Sequence, residues 1–369
     1  MQSPFLTRPL SVVLDFVRFL AAFLVVVGHS VQLQLYTGPY PFSGRLQHYC
    51  VIVFFVLSGL VIATSVTARR SSLARYTIAR VSRILPVAVP ALLFAALSAY
   101  LLAGDAHVRI DNSPDDPLLF AERILPPLVF LSAWPGMPAP VWNPPYWSLC
   151  YEVWYYAIFA LAIFLRGWAR VAAVGLACLL AGPTLLLLFP VWLMGVALTA
   201  MTSAQRLPLR LAPLVLAGCG FAAWGLFQID MTVLNPLAAR IWPEPLKWSN
   251  WVLSDLVMGT IMACAVVALR PLAARLEAPI LRTRGVAHAL AGFSFTLYLF
   301  HWPLIQLLRS HGIEAGRSPL VWAGLLVLVC GLCALLSRTT EGMTPHLRRW
   351  MERRFQRAVA GAKVQAAIV

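Results

Sequence analysis

Apolar segments long enough to cross a lipid bilayer dominate this sequence. Eight runs come close to the roughly 20 residues that an α-helix needs to span the hydrocarbon core. They lie near residues 10–31, 49–68, 84–103, 147–165, 209–228, 251–269, 288–308 and 319–337. Because backbone polar groups find no water at that depth, each run must satisfy them internally as a helix. The sequence therefore predicts an all-α integral membrane protein.

One further apolar region, residues 169–203, is interrupted by Pro183 and Pro190. It is long enough for two short helices or for a re-entrant hairpin, and we favour two crossings. The total is then about ten transmembrane helices. Because no flexible or charged linker divides the apolar runs, we expect one membrane domain at 1–345 and a basic cytoplasmic tail at 346–369.

The arginine and lysine residues predict the orientation of these helices. With a cytoplasmic N-terminus, 21 of them fall in inner segments and 7 in outer segments. Cytoplasmic loops carry the excess of positive charge, so both termini are predicted to be cytoplasmic. The same rule explains the net charge of +15 without nucleic acid, because no aromatic face accompanies the basic residues. Cysteines and histidines show no metal-ligand spacing, so no metal is predicted.

The first apolar run, "LDFVRFLAAFLVVVGHS" at 14–30, contains three polar residues: Asp15, Arg18 and His29. A charge at the bilayer centre costs roughly 2.5 to 3.5 kcal/mol on insertion scales. Asp15 and Arg18 can pair one turn apart. Arg18 and His29 differ by about 20° around the helix and by about 16 Å along it. A polar stripe of this kind indicates a functional site inside the bundle.

Six motifs in order resemble the membrane-bound acyltransferase 3 family. They are D-x-x-R-x10-H in the first helix, "FFVLSGLVI" (54–62), "RYTIARVSRILPV" (75–87), "YWSLCYEVWYY" (146–156), "FSFTLYLFHWPL" (293–304) and "SRTTEG" (337–342). Each motif is weak alone, but together they extend from about residue 10 to 345. Gly342 departs from the pattern, since many members have proline there.

The resemblance implies transfer of an acyl group, often acetyl, from cytoplasmic acyl-CoA to a hydroxyl of a carbohydrate. Acceptors in the family are usually glycans or glycolipids, such as O-antigen or exopolysaccharide, which implies a bacterial cytoplasmic (inner) membrane. Some members carry an extra extracytoplasmic hydrolase-like domain. We expect none in this chain, and a partner protein could supply one.

An acyl-CoA donor brings phosphates to the cytoplasmic side, where the sequence supplies a basic loop. Arginine forks suit phosphate oxygens, and Arg75, Arg80 and Arg83 belong to the matching motif. We favour Arg80 and Arg83 over Arg69 and Arg70, because they are one turn apart and lead into a helix. A positive-inside anchor is the alternative interpretation of this loop.

His29 is the candidate catalytic base. An extended pantetheine arm reaches about three helical turns, roughly 16 Å, so phosphates near Arg18 would bring the thioester to His29. His29 would deprotonate the acceptor hydroxyl, or would itself become acylated on a covalent route. Arg18, assisted by Asp15, would orient the donor.

Four further residues are candidates for the site. Glu152 lies within an apolar helix, where it could orient His29, pair with Arg18 or form a purely structural ion pair. Tyr298 and His301 share a helix face, and His301 has either a direct role or a hydrogen bond at the helix end. Trp147, Tyr298 and His301 are candidates for substrate binding. Ser58 and Ser148, which lie outside these candidates, fit helix packing better than nucleophilic catalysis.

Two other features complete the predictions. The outer loop 104–146 is acidic, through Asp105, Asp111, Asp115, Asp116 and Glu122, and ends in "WPGMPAPVWNPPYW". It is either an ordered loop over the catalytic site or a spacer with an aromatic belt. Glu341 is expected to pair with an arginine. The competing class is a transporter or flippase, although internal repeats and matched broken helices, which are typical of transporters, are not visible.

Overall fold

The computed structural model describes residues 5–42, 44–69, 72–102, 117–134, 137, 140, 142–201, 206–242 and 246–366. Over these residues the chain is helical, which confirms the all-α prediction. The helices are α1 (Arg8–Gln32), α2 (Leu46–Arg69), α3 (Leu73–Leu102), α4 (Pro117–Leu128), α5 (Trp147–Phe164), α6 (Gly167–Leu198), α7 (Ala212–Ile229), α8 (Asn235–Ile241), α9 (Val252–Arg275), α10 (Glu277–Arg282), α11 (Arg284–Gly292), α12 (Ser294–Ser310), α13 (Pro319–Thr339) and α14 (Thr344–Ala366).

Eight helical segments within the described ranges are long and apolar enough to cross a membrane. Helix α12, with 17 residues, falls just short of the usual length, because the predicted run 288–308 is divided at Phe293. Helix α6, with 32 residues, contains two helical segments that meet at Gly182. Counting α12 once and α6 twice gives ten crossings, in agreement with the prediction of about ten.

The bend in α6 occurs at a residue that only glycine suits. Gly182 has φ 76° and ψ 171°, a conformation that is essentially restricted to glycine, and Pro183 begins the second segment. The first segment starts beside the end of α5, yet Ser249 donates a 2.6 Å hydrogen bond to the Thr184 carbonyl and contacts Tyr151 near the start of α5. The chain has therefore crossed before it reaches Thr184, which favours two crossings over a re-entrant hairpin.

The second segment of α6 packs closely on the middle of α2. An added Cβ at Gly59 would overlap the Trp192 carbonyl oxygen, and one at Gly195 would overlap the Val56 carbonyl oxygen. The two backbones approach this closely because neither glycine has a side chain, as is common for helix pairs in membranes. This contact fixes Ser58, the neighbour of Gly59, against α6.

The basic segment 75–87 differs from the prediction, because it is helical and not a loop. Helix α3 begins at Leu73 and runs for 30 residues through Pro86 and Pro90. Its length of about 45 Å exceeds a hydrocarbon core of about 30 Å, so its arginine-rich first turns extend beyond the apolar layer. The many arginines at the start of α3 made this segment resemble a loop. The helix begins at Leu73, eleven residues before the predicted start at residue 84.

Two other predicted segments are only partly described. Asp105, Asp111, Asp115 and Asp116 of the acidic loop lie outside the described residues, as does Arg70. The following residues form helix α4, which includes Glu122, so the segment 104–146 is not a continuous loop. The basic segment 346–369 is helical as far as Ala366, within α14, which packs against α3.

The two faces of the bundle are tied by different contacts. On the face that holds both termini, called here the inner side, Arg270 donates a 3.0 Å hydrogen bond to the Phe5 carbonyl. On the opposite, outer side, Tyr36 and Gly316 form a short parallel backbone bridge that joins the segments after α1 and α12. Trp322 stacks on Tyr36 at 4.1 Å between ring centroids. The two outer contacts join the end of α1, close to His29, to the segment between α12 and α13 and to α13 itself.

Candidate active site

A cavity between α1, α2, α3, α5 and α12 opens toward the inner side. Its empty space, including the part open to solvent, is about 1120 Å³. Its walls extend from Leu6 near the inner end to Ser148 and Tyr298 at its deep end. Most of the wall is apolar. The charged residues that line it are Asp15, Arg18, Arg80, Arg83 and Glu152.

Arg18 and Asp15 form the predicted ion pair, with 2.9 Å between Arg18 Nη2 and Asp15 Oδ1. Their side chains are 25% and 24% exposed, so both groups remain accessible from the cavity. Arg18 Nε is buried and has no hydrogen-bond partner among the described residues, and the same holds for Arg80 Nε. Unpaired guanidinium donors in an enclosed wall are well suited to an anionic ligand.

Arg80 and Arg83 lie one turn apart on α3 and both line the cavity. The Arg80 guanidinium lies 5.8 Å from the centroid of the Tyr156 ring. Arg75, in contrast, is exposed on another face of α3 and does not belong to the cavity wall. The structure therefore brings two of the three predicted phosphate-binding arginines together with Arg18.

Glu152 lines the cavity at the end of a directional hydrogen-bond chain. Trp192 Nε1 donates to Ser58 Oγ at 3.2 Å, Ser58 contacts the Tyr156 hydroxyl at 3.0 Å, and Tyr156 donates to Glu152 Oε1 at 2.5 Å. Because a carboxylate only accepts, the Tyr156 proton lies toward Glu152 and Ser58 donates to Tyr156. Within the described chain, Glu152 hydrogen-bonds to neither His29 nor Arg18, the two partners that the sequence suggested.

His29 is instead paired with His301, which lies 272 positions away in the chain. His29 Nδ1 is 2.8 Å from His301 Nε2, and the two rings are parallel within 1° at 5.1 Å between centroids. Trp302 packs edge-on against His29 at 4.8 Å. His301 is fully buried, whereas His29 is only partly buried. His301 therefore supports His29 from the bundle interior.

The hydrogen bonds of this pair fix which ring nitrogens carry protons. The Leu297 carbonyl, 3.1 Å from His301 Nδ1, can only accept a hydrogen bond, so that nitrogen carries the proton. Neutral His301 then has a lone pair at Nε2, which accepts the proton of His29 Nδ1. Neutral His29 in turn presents a free lone pair at Nε2. The arrangement makes His29 Nε2 the basic atom of the pair.

Tyr298 lies in the cavity wall, one turn before His301 on α12. Its hydroxyl donates to the Pro145 carbonyl at 2.9 Å and contacts Ser148 Oγ at 2.7 Å, and its ring packs edge-on against Phe54. Tyr298 lines the cavity. His301, one turn further along α12, does not, and neither does His29 on α1. Arg18 therefore lines the cavity, whereas His29, on the same stripe of α1, does not.

Trp147 lies in an aromatic cluster near the outer ends of the helices. Its ring stacks on His48 at 5.7 Å and on Trp248 at 5.4 Å. His48 Nε2 in turn lies 2.8 Å from Asp255 Oδ1. Trp147 is buried and does not line the inner cavity, so it belongs to the outer side of the site, away from Arg80.

Within the part of the chain that the structure describes, Glu341 does not form the expected ion pair with an arginine. Its Oε1 accepts hydrogen bonds from the backbone amides of Phe295 (3.1 Å) and Thr296 (3.3 Å), at the start of α12. The carboxylate thus caps the helix that carries Tyr298 and His301, and it also complements the positive end of the helix dipole. Arg83 interacts with it electrostatically at longer range.

Sequence reasoning missed two features of the site. Tyr156 follows Glu152 by four residues, a spacing that places both on one helix face and could have identified the hydrogen bond. The pairing of His29 with His301 has no local signal, because it depends on how α1 and α12 pack. Among the described residues, no group of three or more histidine, cysteine, aspartate or glutamate side chains could hold a metal ion, and Cys330 and Cys333 are not disulfide-bonded.

The cavity, the arginines and the histidine pair belong to a segment that matches a known protein family. The model of the acyltransferase 3 family, described as an acyltransferase domain, matches residues 12–338. No curated protein and no solved structure gives a significant match. The matched segment contains α1 to α13 almost completely, including every element that lines the cavity. The chain therefore belongs to the acyltransferase 3 family and is a membrane acyltransferase.

Proposed function

We propose that this acyltransferase moves an acyl group, most simply acetyl, from cytoplasmic acyl-CoA to a hydroxyl of an extracytoplasmic or lipid-linked carbohydrate. The observation that carries the proposal is the inner cavity, whose wall contains unpaired arginine donors. The hydrogen-bonded pair of His29 and His301 lies close to Tyr298 in its wall. The excess of positive charge identifies the inner side as cytoplasmic, where acyl-CoA is available.

The donor end of the proposal rests on three guanidinium groups. Arg18, Arg80 and Arg83 surround the inner part of the cavity, and two of them have an unpaired Nε. Phosphate oxygens supply the acceptors that these donors lack, and bidentate geometry is favourable. The apolar wall between Arg18 and Tyr298 suits the uncharged pantetheine arm. The thioester would then lie at the Tyr298 end of the cavity.

Acyl transfer follows from the free lone pair on His29. His29 Nε2 takes the proton of the acceptor hydroxyl, and the oxygen attacks the thioester carbonyl carbon. The carbon–sulfur bond breaks, and the departing CoA sulfur receives the proton from His29. His301 accepts from His29 Nδ1 throughout and so stabilises the positive charge that His29 acquires. On the covalent alternative, His29 Nε2 itself attacks the thioester carbonyl carbon, the carbon–sulfur bond breaks and CoA leaves as a thiolate. The acceptor oxygen then attacks the acyl-imidazole, His29 Nε2 is released, and the hydroxyl proton ends on the CoA sulfur.

This chemistry requires Tyr298 to move, because it lies in the cavity wall and His29 does not line the cavity. The Tyr298 hydroxyl is held by Pro145, just before α5, and by Ser148, in the first turn of α5. Binding of the donor would break these hydrogen bonds and connect the cavity with His29. Lids of this kind commonly open and close during an enzyme cycle.

The acceptor end of the proposal is the outer side. The half-buried ring of Trp248, which stacks on the buried Trp147 at 5.4 Å, forms an aromatic surface near the outer ends of α5 and α9. Such a surface suits the apolar faces of sugar rings. A bacterial cytoplasmic membrane would provide both acyl-CoA and glycan acceptors, and a partner protein would supply any extracytoplasmic domain that transfer requires.

The proposal is tested with purified protein in nanodiscs and radiolabelled acetyl-CoA. Without acceptor, the wild type should hydrolyse acetyl-CoA slowly or become labelled, and His29→Ala should abolish both. Arg18→Ala should raise the acetyl-CoA concentration that is required for half-maximal hydrolysis or labelling. His311→Ala, which changes an exposed histidine after α12, is the matched control and should behave as wild type.

Labelled protein that is lost in His29→Ala would support the covalent route, and hydrolysis without labelling would support direct transfer. If the wild type neither binds nor consumes acetyl-CoA or longer acyl-CoAs, with or without carbohydrate acceptors, the donor assignment is wrong. The polar cavity would then fit the transporter or flippase alternative.

A further inference from the structure

A second cavity lies on the inner side, between α1 and the short helices α10 and α11. It encloses about 790 Å³ of empty space, including the part open to solvent. Arg8, Ser11 and Asp15 line it from α1, where they follow one another at helical spacing on one face. Arg284 and His288, one turn apart on α11, line the opposite wall. Three nitrogen-bearing side chains therefore converge on one hollow.

These three side chains are available to a ligand. Within the described residues, Arg8, Arg284 and His288 make no hydrogen bond, ion pair or ring contact, and all three are exposed. The acidic residue in the wall, Asp15, is already neutralised by Arg18 at 2.9 Å. The hollow thus has an excess of positive charge, and Arg284 stands at the positively polarised start of α11.

The second cavity adjoins the first. Ser11 and Asp15 line both, so the two spaces are separated only by one face of α1. Arg8 precedes Arg18 by ten residues, or about 15 Å along the helix. A phosphate bound by Arg8 would therefore be distinct from one bound by Arg18, Arg80 and Arg83. A ligand with two separated phosphate groups could therefore engage both sets of side chains at once.

Coenzyme A has this property, because its diphosphate and its ribose 3′-phosphate are separate groups. We infer that the second cavity binds the 3′-phosphorylated nucleotide end of the acyl-CoA donor through Arg8, Arg284 and His288. The inference rests on the proposed function and adds a nucleotide subsite to it. It also explains why the donor arginines of α3 lie next to a hollow on the other side of Asp15.

A phospholipid headgroup offers the same phosphate chemistry, but the cavity suits it less well. Among the described residues, only Val12 and Leu281 contribute apolar side chains to the wall, which leaves little surface for acyl chains. A headgroup also carries one phosphate cluster and would not connect the two cavities. The experiment therefore includes lipid composition as a variable.

The test measures binding of CoA and of 3′-dephospho-CoA to the protein in nanodiscs by calorimetry, with and without phosphatidylglycerol. The wild type should bind CoA about tenfold more tightly than 3′-dephospho-CoA, as expected for one charge-assisted phosphate contact. The double variant Arg8→Gln/Arg284→Gln should bind CoA only as well as dephospho-CoA, with its affinity for dephospho-CoA unchanged. His288→Gln should lose part of the preference.

Arg282→Gln is the matched control, since Arg282 is an exposed neighbour in α10 that does not line the cavity. It should retain the tenfold preference. Equal affinity of the wild type for CoA and dephospho-CoA would overturn the subsite while leaving the proposed function intact. The subsite would also be overturned if the double variant lost affinity equally for CoA and dephospho-CoA. A loss of CoA affinity seen only with phosphatidylglycerol would indicate a headgroup site instead. Failure of the wild type to bind either ligand would remove the proposed function and the subsite together.

Discussion

His29 Nδ1 and His301 Nε2 lie 2.8 Å apart, and their rings are parallel within 1°. This geometry gives His301 the position that a carboxylate holds in many catalytic triads, where it orients a histidine and stabilises its charged form. A neutral imidazole stabilises that charge less strongly than a carboxylate does. It also avoids the cost of a buried negative charge in the apolar interior.

Replacement of His301 should therefore affect the chemical step more than donor binding. His301→Ala removes the acceptor for His29 Nδ1, and kcat should fall roughly 10- to 100-fold, as expected for a charge-assisted hydrogen bond. The KM for acetyl-CoA should change little. His301→Gln, whose amide oxygen can accept the same proton, should recover part of kcat. Steady-state kinetics in nanodiscs provide the measurement, and a change confined to KM would refute the role of His301.

The chain that ends at Glu152 predicts a coupled effect on stability. Tyr156→Phe removes the donor to Glu152 and the acceptor for Ser58, and should lower the free energy of unfolding by about 1 to 3 kcal/mol. Ser58→Ala combined with Tyr156→Phe should cost less than the sum of the single variants, because both belong to one network. Thermal unfolding in detergent would measure this, and strict additivity would show that the chain does not act as a unit.

The contact of α2 with α6 predicts a strong steric effect. Gly195→Ala places a methyl group where the Val56 carbonyl already lies, so the helices must separate, at a cost of about 1 to 3 kcal/mol or more. Gly218→Ala in α7, where a Cβ meets open space, is the matched control. Melting temperatures of the two variants should differ clearly, with only Gly195→Ala below wild type. Equal values would mean that the close approach is not important for stability.

Lys247 predicts local order on the outer side. Its ammonium donates to the carbonyl oxygens of Ser132, Trp134 and Met137, and so joins the segment before α9 to the segment after α4. Lys247→Met should increase hydrogen exchange around 129–137 without affecting the inner end of α3. Arg240→Met, which changes an exposed cation in α8, is the control. Unchanged exchange in Lys247→Met would mean that other contacts hold this segment.

Much of the architecture could be predicted from the sequence because the bilayer imposes simple rules. The lengths of the apolar runs predicted the helices. The spacing of Arg18 and His29 predicted that both lie on one stripe of α1, which is helical over both residues. Charge alone misidentified the start of α3, since arginines at a helix end look like a loop. The partner of His29 could not be predicted, because Glu152 and His301 both lie in apolar helices and only tertiary packing decides between them. The turn at Gly182 was suggested by Pro183, but its direction depends on the contacts of Thr184.

The position of Tyr298 also has a consequence for the energetics of the membrane. The side chain belongs to the wall of the inner cavity, and neither His29 nor His301 is among the described residues that line this cavity. An ion crossing the bilayer exchanges roughly 2.3 kcal/mol per charge for each 100 mV of membrane potential. Under the proposed function, donor binding displaces Tyr298, so this layer must close again in each turnover if the ion gradient is to be kept.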